Sequence, residues 1–134
     1  MSTETTVPAY VPLIGRILIA APFLMSGIGK LANHDQVVGM ITEAGLPLAP
    51  LGWVIAIVVE IGGGILMITG YRVRLAAFVL AAFTLAAGVF FHRNFADQNQ
   101  MIHFLENLVI AGGLLCIGYF GAGPLSLDNR LRSK

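Results

Sequence analysis

Only 11% of the 134 residues are charged, against roughly 25% in an average soluble domain. That shortage excludes an ordinary water-soluble protein. Cys116 is the one cysteine, so an internal disulfide is impossible. With no C-x-x-C pair the chain can neither run dithiol exchange by itself nor build a thiolate metal site. The net charge is +1 and no basic run occurs away from the ends of the apolar stretches, so a nucleic-acid partner is not expected. Flavin, haem and nicotinamide motifs are missing, as are internal repeats and low-complexity tracts.

What the chain has instead is apolar length. It is 57% hydrophobic, with a mean hydropathy of +0.83. Four runs of about twenty residues, at roughly 11–29, 51–70, 73–91 and 102–120, are each long enough to cross a hydrocarbon core of about 30 Å as a helix. The reading is an all-α membrane protein: one four-transmembrane-helix bundle over residues 1–134, with the lipid bilayer as its surroundings. The first run is read as a retained helix rather than a cleaved signal, because Glu4 precedes it without any Lys or Arg and Arg16 lies inside it.

With four crossings, the N-terminus, the second connection and the C-terminus share a side. Arg72, Arg74, Arg130, Arg132 and Lys134 gather there, against Lys30 and Arg93 on the other side, so both termini are expected to be cytoplasmic. In the long first connection Val37, Ile41 and Ala44 recur at helical spacing, with Asn33 or Asp35 as N-cap and Gly45 then Pro47 as a stop. A short interfacial helix is expected there, lying on the membrane surface in preference to forming a lid.

An ionisable residue inside a span costs about 2.5–3.5 kcal/mol on insertion scales, so it faces protein or water and has a partner. In the second span Ala56, Glu60, Gly63, Gly64 and Met67 are three and four apart and share a face, which aims Glu60 into the bundle beside small residues suited to close packing. Arg16, Ala20, Phe23, Gly27 and Lys30 do the same on the first span, which Pro22 can kink. Counted from the ends of their apolar runs, Arg16 and Glu60 differ in depth by roughly 7–8 Å, within an arginine's reach, so they are expected to pair. Such a pair serves function or helix register equally well.

A second polar cluster is expected at the opposite boundary. Lys30 ends the first span, His92 and Arg93 end the third, and His103, Glu106 and Asn107 project together from the fourth. Arg74 and His92 lie on one face of the third span. The histidine spacing matches no metal motif, so no metal is assigned. Mutual hydrogen bonding at the interface, or a site for a small polar or quinone-like ligand, accounts for the cluster.

The stretches "GRILIAAPFLMSGIGKL", "ITEAGLP", "VVEIGGGILMITGYRVRLAA", "FFHRNF", "MIHFLENLVIAGGLL" and "GAGPLSLD", in that order, closely resemble the DoxX family over almost the whole chain. The resemblance implies a four-helix protein of the bacterial inner membrane with cytoplasmic ends. Some relatives are described as membrane subunits of redox systems, such as a thiosulfate:quinone oxidoreductase, and more distant ones look like assembly factors. One departure stands out: the similar sequences usually read Phe-Leu-Lys-Asn where this chain has Phe104-Leu105-Glu106-Asn107. Glu106 is then expected to pair with Lys30 or His103.

Together these features point to a non-catalytic or weakly catalytic membrane component of a redox or oxidative-stress system, with a quinone or other small ligand between its helices. Arg16, Lys30, Glu60, His92, His103, Glu106 and Asn107 are the ligand-binding or proton-exchange candidates. Arg16 would fix and polarise, Glu60 hold a proton, and the histidines exchange protons near neutral pH. Electron transfer would require a cofactor-bearing redox partner. The alternatives are an assembly or scaffold factor that docks other membrane proteins, or a transporter, which would need a homo-oligomer.

Overall fold

The computed structural model describes residues 6–134; the first five residues of the expected domain lie outside the described part. The helices are α1 (Val11–Ala32), α2 (His34–Glu43), α3 (Ala49–Thr69), α4 (Val73–Phe91), α5 (Gln98–Phe120) and α6 (Leu127–Arg132). Of these, α1, α3, α4 and α5 are long and apolar enough to cross a membrane. They are the four expected spans, and α4 has the expected bounds. Helix α5 starts earlier than residue 102 because Asp97 caps it, its side chain accepting from the Asn99 N–H at 2.9 Å. A polar first turn is thereby helical without any apolar residue to mark it.

The expected short helix is α2. Asn33 stands at its N-cap position, yet the Asn33 Nδ2 turns back and donates to the Gly29 carbonyl of α1 at 2.8 Å. Gly45, at φ +81°, ends the helix as anticipated. On its inner side α2 rests on α3: Ile41 is buried against Gly52, and the His34 ring stands edge-on to Trp53 at 4.7 Å. Its inner side is therefore packed against the bundle through Ile41.

The spans pack in chain order, α1 on α3, α3 on α4 and α4 on α5, and α1 makes no extensive contact with α5 among the described residues. The core is built on Ala76, Ala77, Leu80 and Ala81 of α4, with Ala20, Met67 and Leu114 from the neighbouring spans. Small side chains bring the helix backbones close enough for dispersion contacts to hold them in lipid, where no hydrophobic driving force operates between helices. Within α3, Val58–Gly62 forms a π-turn centred on Glu60, a feature often found at functional positions. Ala56, Glu60, Gly64 and Met67 are buried, as their spacing predicts. Gly63 turns instead toward α4, where a Cβ would come within 2.9 Å of Leu80.

Beyond Phe120 the chain folds back across the end of the bundle. Asp128 of α6 accepts from the N–H groups of Arg72 and Val73 at 2.7 and 2.9 Å, satisfying the exposed donors at the start of α4. Its own N–H donates to the Gly70 carbonyl at 2.8 Å. Gly70 sits at φ +75°, and a Cβ there would lie 2.7 Å from Arg16 Nη1 and 2.8 Å from the Ser126 Cα. Gly70→Ala should therefore cost about 2 kcal/mol or more, from backbone strain plus overpacking. Gly112→Ala, with nothing within 4 Å, should be neutral. Thermal unfolding of both variants in one detergent checks this, and equal melting temperatures would contradict it.

Candidate functional site

Glu60 is 5% exposed, and the residue beside it is Lys30. The Lys30 Nζ lies 3.1 Å from Oε1 and 2.9 Å from Oε2. Ser26, one turn before Lys30 on α1, donates from Oγ to Oε1 at 3.0 Å and accepts from Nζ at 2.6 Å. Only Oε1 receives aligned hydrogen bonds; Oε2 has the ammonium beside it but no hydrogen-bond partner. Trp53 fixes the end of α1 by donating from Nε1 to the Lys30 carbonyl at 2.8 Å. Ser26 and Trp53 were not among the expected site residues. Ser26 is legible as a hydroxyl one turn from Lys30 on the same face, whereas nothing in the sequence links Trp53 to the Lys30 carbonyl.

The expected Arg16–Glu60 pair does not form. Arg16 is 1% exposed, and its Nη1 donates to the carbonyls of Met67 and Ile68 at 2.8 and 3.1 Å, while Nη2 donates to the Leu125 carbonyl. The reason is the antiparallel register. Gly27 faces Glu60 and Ala20 faces Gly64, which sets Arg16 level with the last turn of α3, about 11–12 Å of helix from Glu60. Helix α1 projects past the end of α3, so depth counted from the apolar runs was misleading. Arg16 caps orphan carbonyls at the negative end of the α3 dipole.

Lys30 and Glu60 line a cavity of about 670 Å³ between the halves of the spans remote from Arg16. Thr84, His92 and Asn107 also border it, and Met40 and Ile41 bring α2 in as one wall. Asn107 Nδ2 donates to the Thr84 carbonyl at 3.2 Å, and the buried Thr84 Oγ1 has no hydrogen-bond partner. The remaining surface is mostly aliphatic and aromatic, with Phe23, Phe83 and Phe91 among the lining.

The expected vestibule is split. His92 and Asn107 reach the cavity, whereas His103 and Glu106 stand outside its lining. The latter two are exposed and touch each other, His103 Nδ1 to Glu106 Oε2, at 3.3 Å. Of the two expected partners for Glu106, the structure selects His103, because Lys30 is engaged with Glu60. The His92 and His103 rings are 5.2 Å apart, so they connect the exposed pair to the cavity. Arg74 is far from this group, donating to the Tyr119 carbonyl at 2.9 Å near the other end of the bundle.

Two consequences are measurable. Lys30→Met leaves Glu60 buried without its cation and should cost about 3 kcal/mol; adding Glu60→Gln should recover most of it. Unfolding of the single and double variants tests the pair, and an uncoupled, additive result would count against it. At His92 burial disfavours the imidazolium, His103 adds to this and Glu106 opposes it, leaving the imidazole below its ordinary value of 6.5. The unfolded chain then binds the proton more readily, so the contribution of His92 to stability is present above pH 6.5 and is lost as pH falls below it. His92→Asn should flatten the melting temperature between pH 7.5 and about 5; an unchanged slope would exclude His92 as its source.

The sequence model of the DoxX family matches residues 11–93. The chain is 34% identical over 124 residues to inner membrane protein YqjF of Escherichia coli (strain K12), covering 91% of this chain and 92% of the relative. It is 32% identical over 123 residues to inner membrane protein YphA of the same organism, covering 88% of each. No solved structure matches significantly. With four spans on an all-helical frame, and two relatives of nearly equal length in the inner membrane, the chain is a multi-pass inner-membrane protein and belongs to the DoxX family.

Proposed function

We propose that the protein holds a small amphiphilic ligand, with a quinone as the leading candidate, in the cavity beside Lys30 and Glu60, and acts as the membrane component of a redox or oxidative-stress system. The observation that carries this reading is the cavity itself. Its volume of about 670 Å³ falls within the roughly 300–1,000 Å³ of small-molecule sites, and its composition, mostly apolar with a few convergent polar groups, is the usual one. One buried group, Thr84 Oγ1, has no hydrogen-bond partner in the protein, which is costly unless something else satisfies it.

The loose association of α1 with α5 supports entry from the bilayer. Pro22 on α1 and Ile110 on α5 both border the cavity, so a lipid-soluble molecule could enter between these helices without crossing water. A quinone carbonyl would accept from the Lys30 ammonium, the partly exposed member of the ion pair. His92, His103 and Glu106 offer a proton route between the cavity and the exposed surface. Electrons would come from a cofactor-bearing partner, so the chain is read as a subunit and not as a stand-alone enzyme.

Extraction of protein purified in mild detergent, followed by mass spectrometry of its small molecules, tests this directly. Wild type should carry a quinone that Glu60→Gln retains at least about tenfold less well, the worth of one polar interaction near 1.4 kcal/mol. Absence of any quinone from wild type, or equal retention by the variant at equal yield, would rule out the reading.

A further inference from the structure

At the end of the bundle remote from Glu60 a second concavity, of about 460 Å³, opens between the first turn of α4, the end of α5 and α6. Its ionisable lining is Arg72, Arg74, Arg132 and Asp128. Three guanidinium groups thus meet one carboxylate, and that carboxylate is committed, both of its oxygens accepting the N–H groups of Arg72 and Val73. No carboxylate among the described residues forms a salt bridge with any of the three arginines.

Their placement leaves donors facing the cleft. Arg74 uses Nη1 on the Tyr119 carbonyl, and the rest of its guanidinium lies over Gly121, where a Cβ would come within 3.3 Å of Nη2 and 3.4 Å of Nε. The Arg72 side chain has the Tyr71 hydroxyl, at 3.4 Å, as its hydrogen-bond partner. Guanidinium forks match the oxygens of a phosphate group and bind it with charge-assisted hydrogen bonds. Leu75 lines the same cleft, and with Val79 one turn further along α4 it forms an exposed apolar strip running toward the middle of the span.

We propose that this cleft is a phosphate-binding site at the membrane boundary. Its chemistry suits the headgroup phosphate of an anionic phospholipid, whose acyl chain would follow Leu75 and Val79, and also suits free inorganic phosphate. A bound phosphate would join α4, α5 and α6, and the cleft shares no lining residue with the cavity beside Lys30 and Glu60.

The full chain in detergent is titrated with dioleoyl-phosphatidylglycerol and, separately, with dioleoyl-phosphatidylcholine, bound lipid being counted by native mass spectrometry. Inorganic phosphate is titrated by calorimetry. Wild type should take up phosphatidylglycerol in preference to phosphatidylcholine. Arg72→Gln with Arg132→Gln should weaken that binding about 30-fold, from the usual worth of two basic groups at a membrane surface. Arg130→Gln with Lys134→Gln removes equal charge outside the cleft and, without a guanidinium fork on the phosphate, should weaken binding clearly less than the cleft pair does. Phosphate bound with the same mutational pattern, in place of the lipid, would identify the free anion as the ligand. Equal losses in the two double variants, or no binding of any probe to wild type, would overturn the proposal. If the Arg72 and Arg132 double variant fails to fold, Arg132→Gln alone should still weaken binding about fivefold.

Discussion

Two cations on α1 hold that helix in one register against α3. Arg16 and Lys30 are four helical turns apart, about 21 Å along the axis. One meets the last carbonyls of α3 and the other meets Glu60. Gly27 and Gly64 keep the backbones close between them, since a Cβ on either would collide with Ile61 or Leu24. A slip of one residue would break both attachments at once, and the hydrocarbon offers no water to replace them. The cavity depends on this arrangement. Because α1 is held by α3, it need not pack on α5, and the space between them stays open on the side that α2 borders. The position of α2 follows in turn, since Asn33 and Trp53 tie its root to the end of α1.

The spans were legible because each is a long apolar run with a polar break at either end; α4, set between Arg72 and His92, is the clearest case. The inward face of α3 was legible too, since Ala56, Glu60, Gly64 and Met67 recur at helical spacing. The partner of Glu60 was not. Spacing fixes the direction of a side chain on its own helix but not how far one helix slides along another. Arg16 and Lys30 share a face, so both were eligible, and only the register decides. The latch formed by Asp128 was hidden for a similar reason: in sequence it is one acid in a basic tail, while its partners, the N–H groups of Arg72 and Val73, carry no side-chain signature. The π-turn around Glu60 likewise leaves no mark in the pattern of apolar residues.

Arg16 and Glu60 show why burial of a charge does not by itself indicate function. Arg16 is the more deeply buried, but backbone carbonyls from α3 and from the tail surround its terminal nitrogens. It completes a helix end, although its Nε, also buried, has no hydrogen-bond partner. Glu60 is nearly as buried, but its cation, Lys30, is one-quarter exposed and opens onto the cavity. A purely structural ion pair gains from being sealed, because leftover polar capacity in a low-dielectric interior is expensive. The unsealed pair is the one consistent with a visiting ligand.

Glu106 stands outside the cavity lining. Its carboxylate replaces the cation that resembling sequences carry, which would reverse the charge facing a ligand if the residue lined the cavity. It does not: it is exposed, pairs with His103 and is separated from the cavity by His92. Its influence must pass through the imidazoles. Burial and His103 both disfavour the His92 imidazolium, whereas Glu106 favours it. A lysine at this position would add to the first two effects. A glutamate at position 106 therefore leaves the cavity lining as it is and acts on the protonation of His92, which borders the cavity.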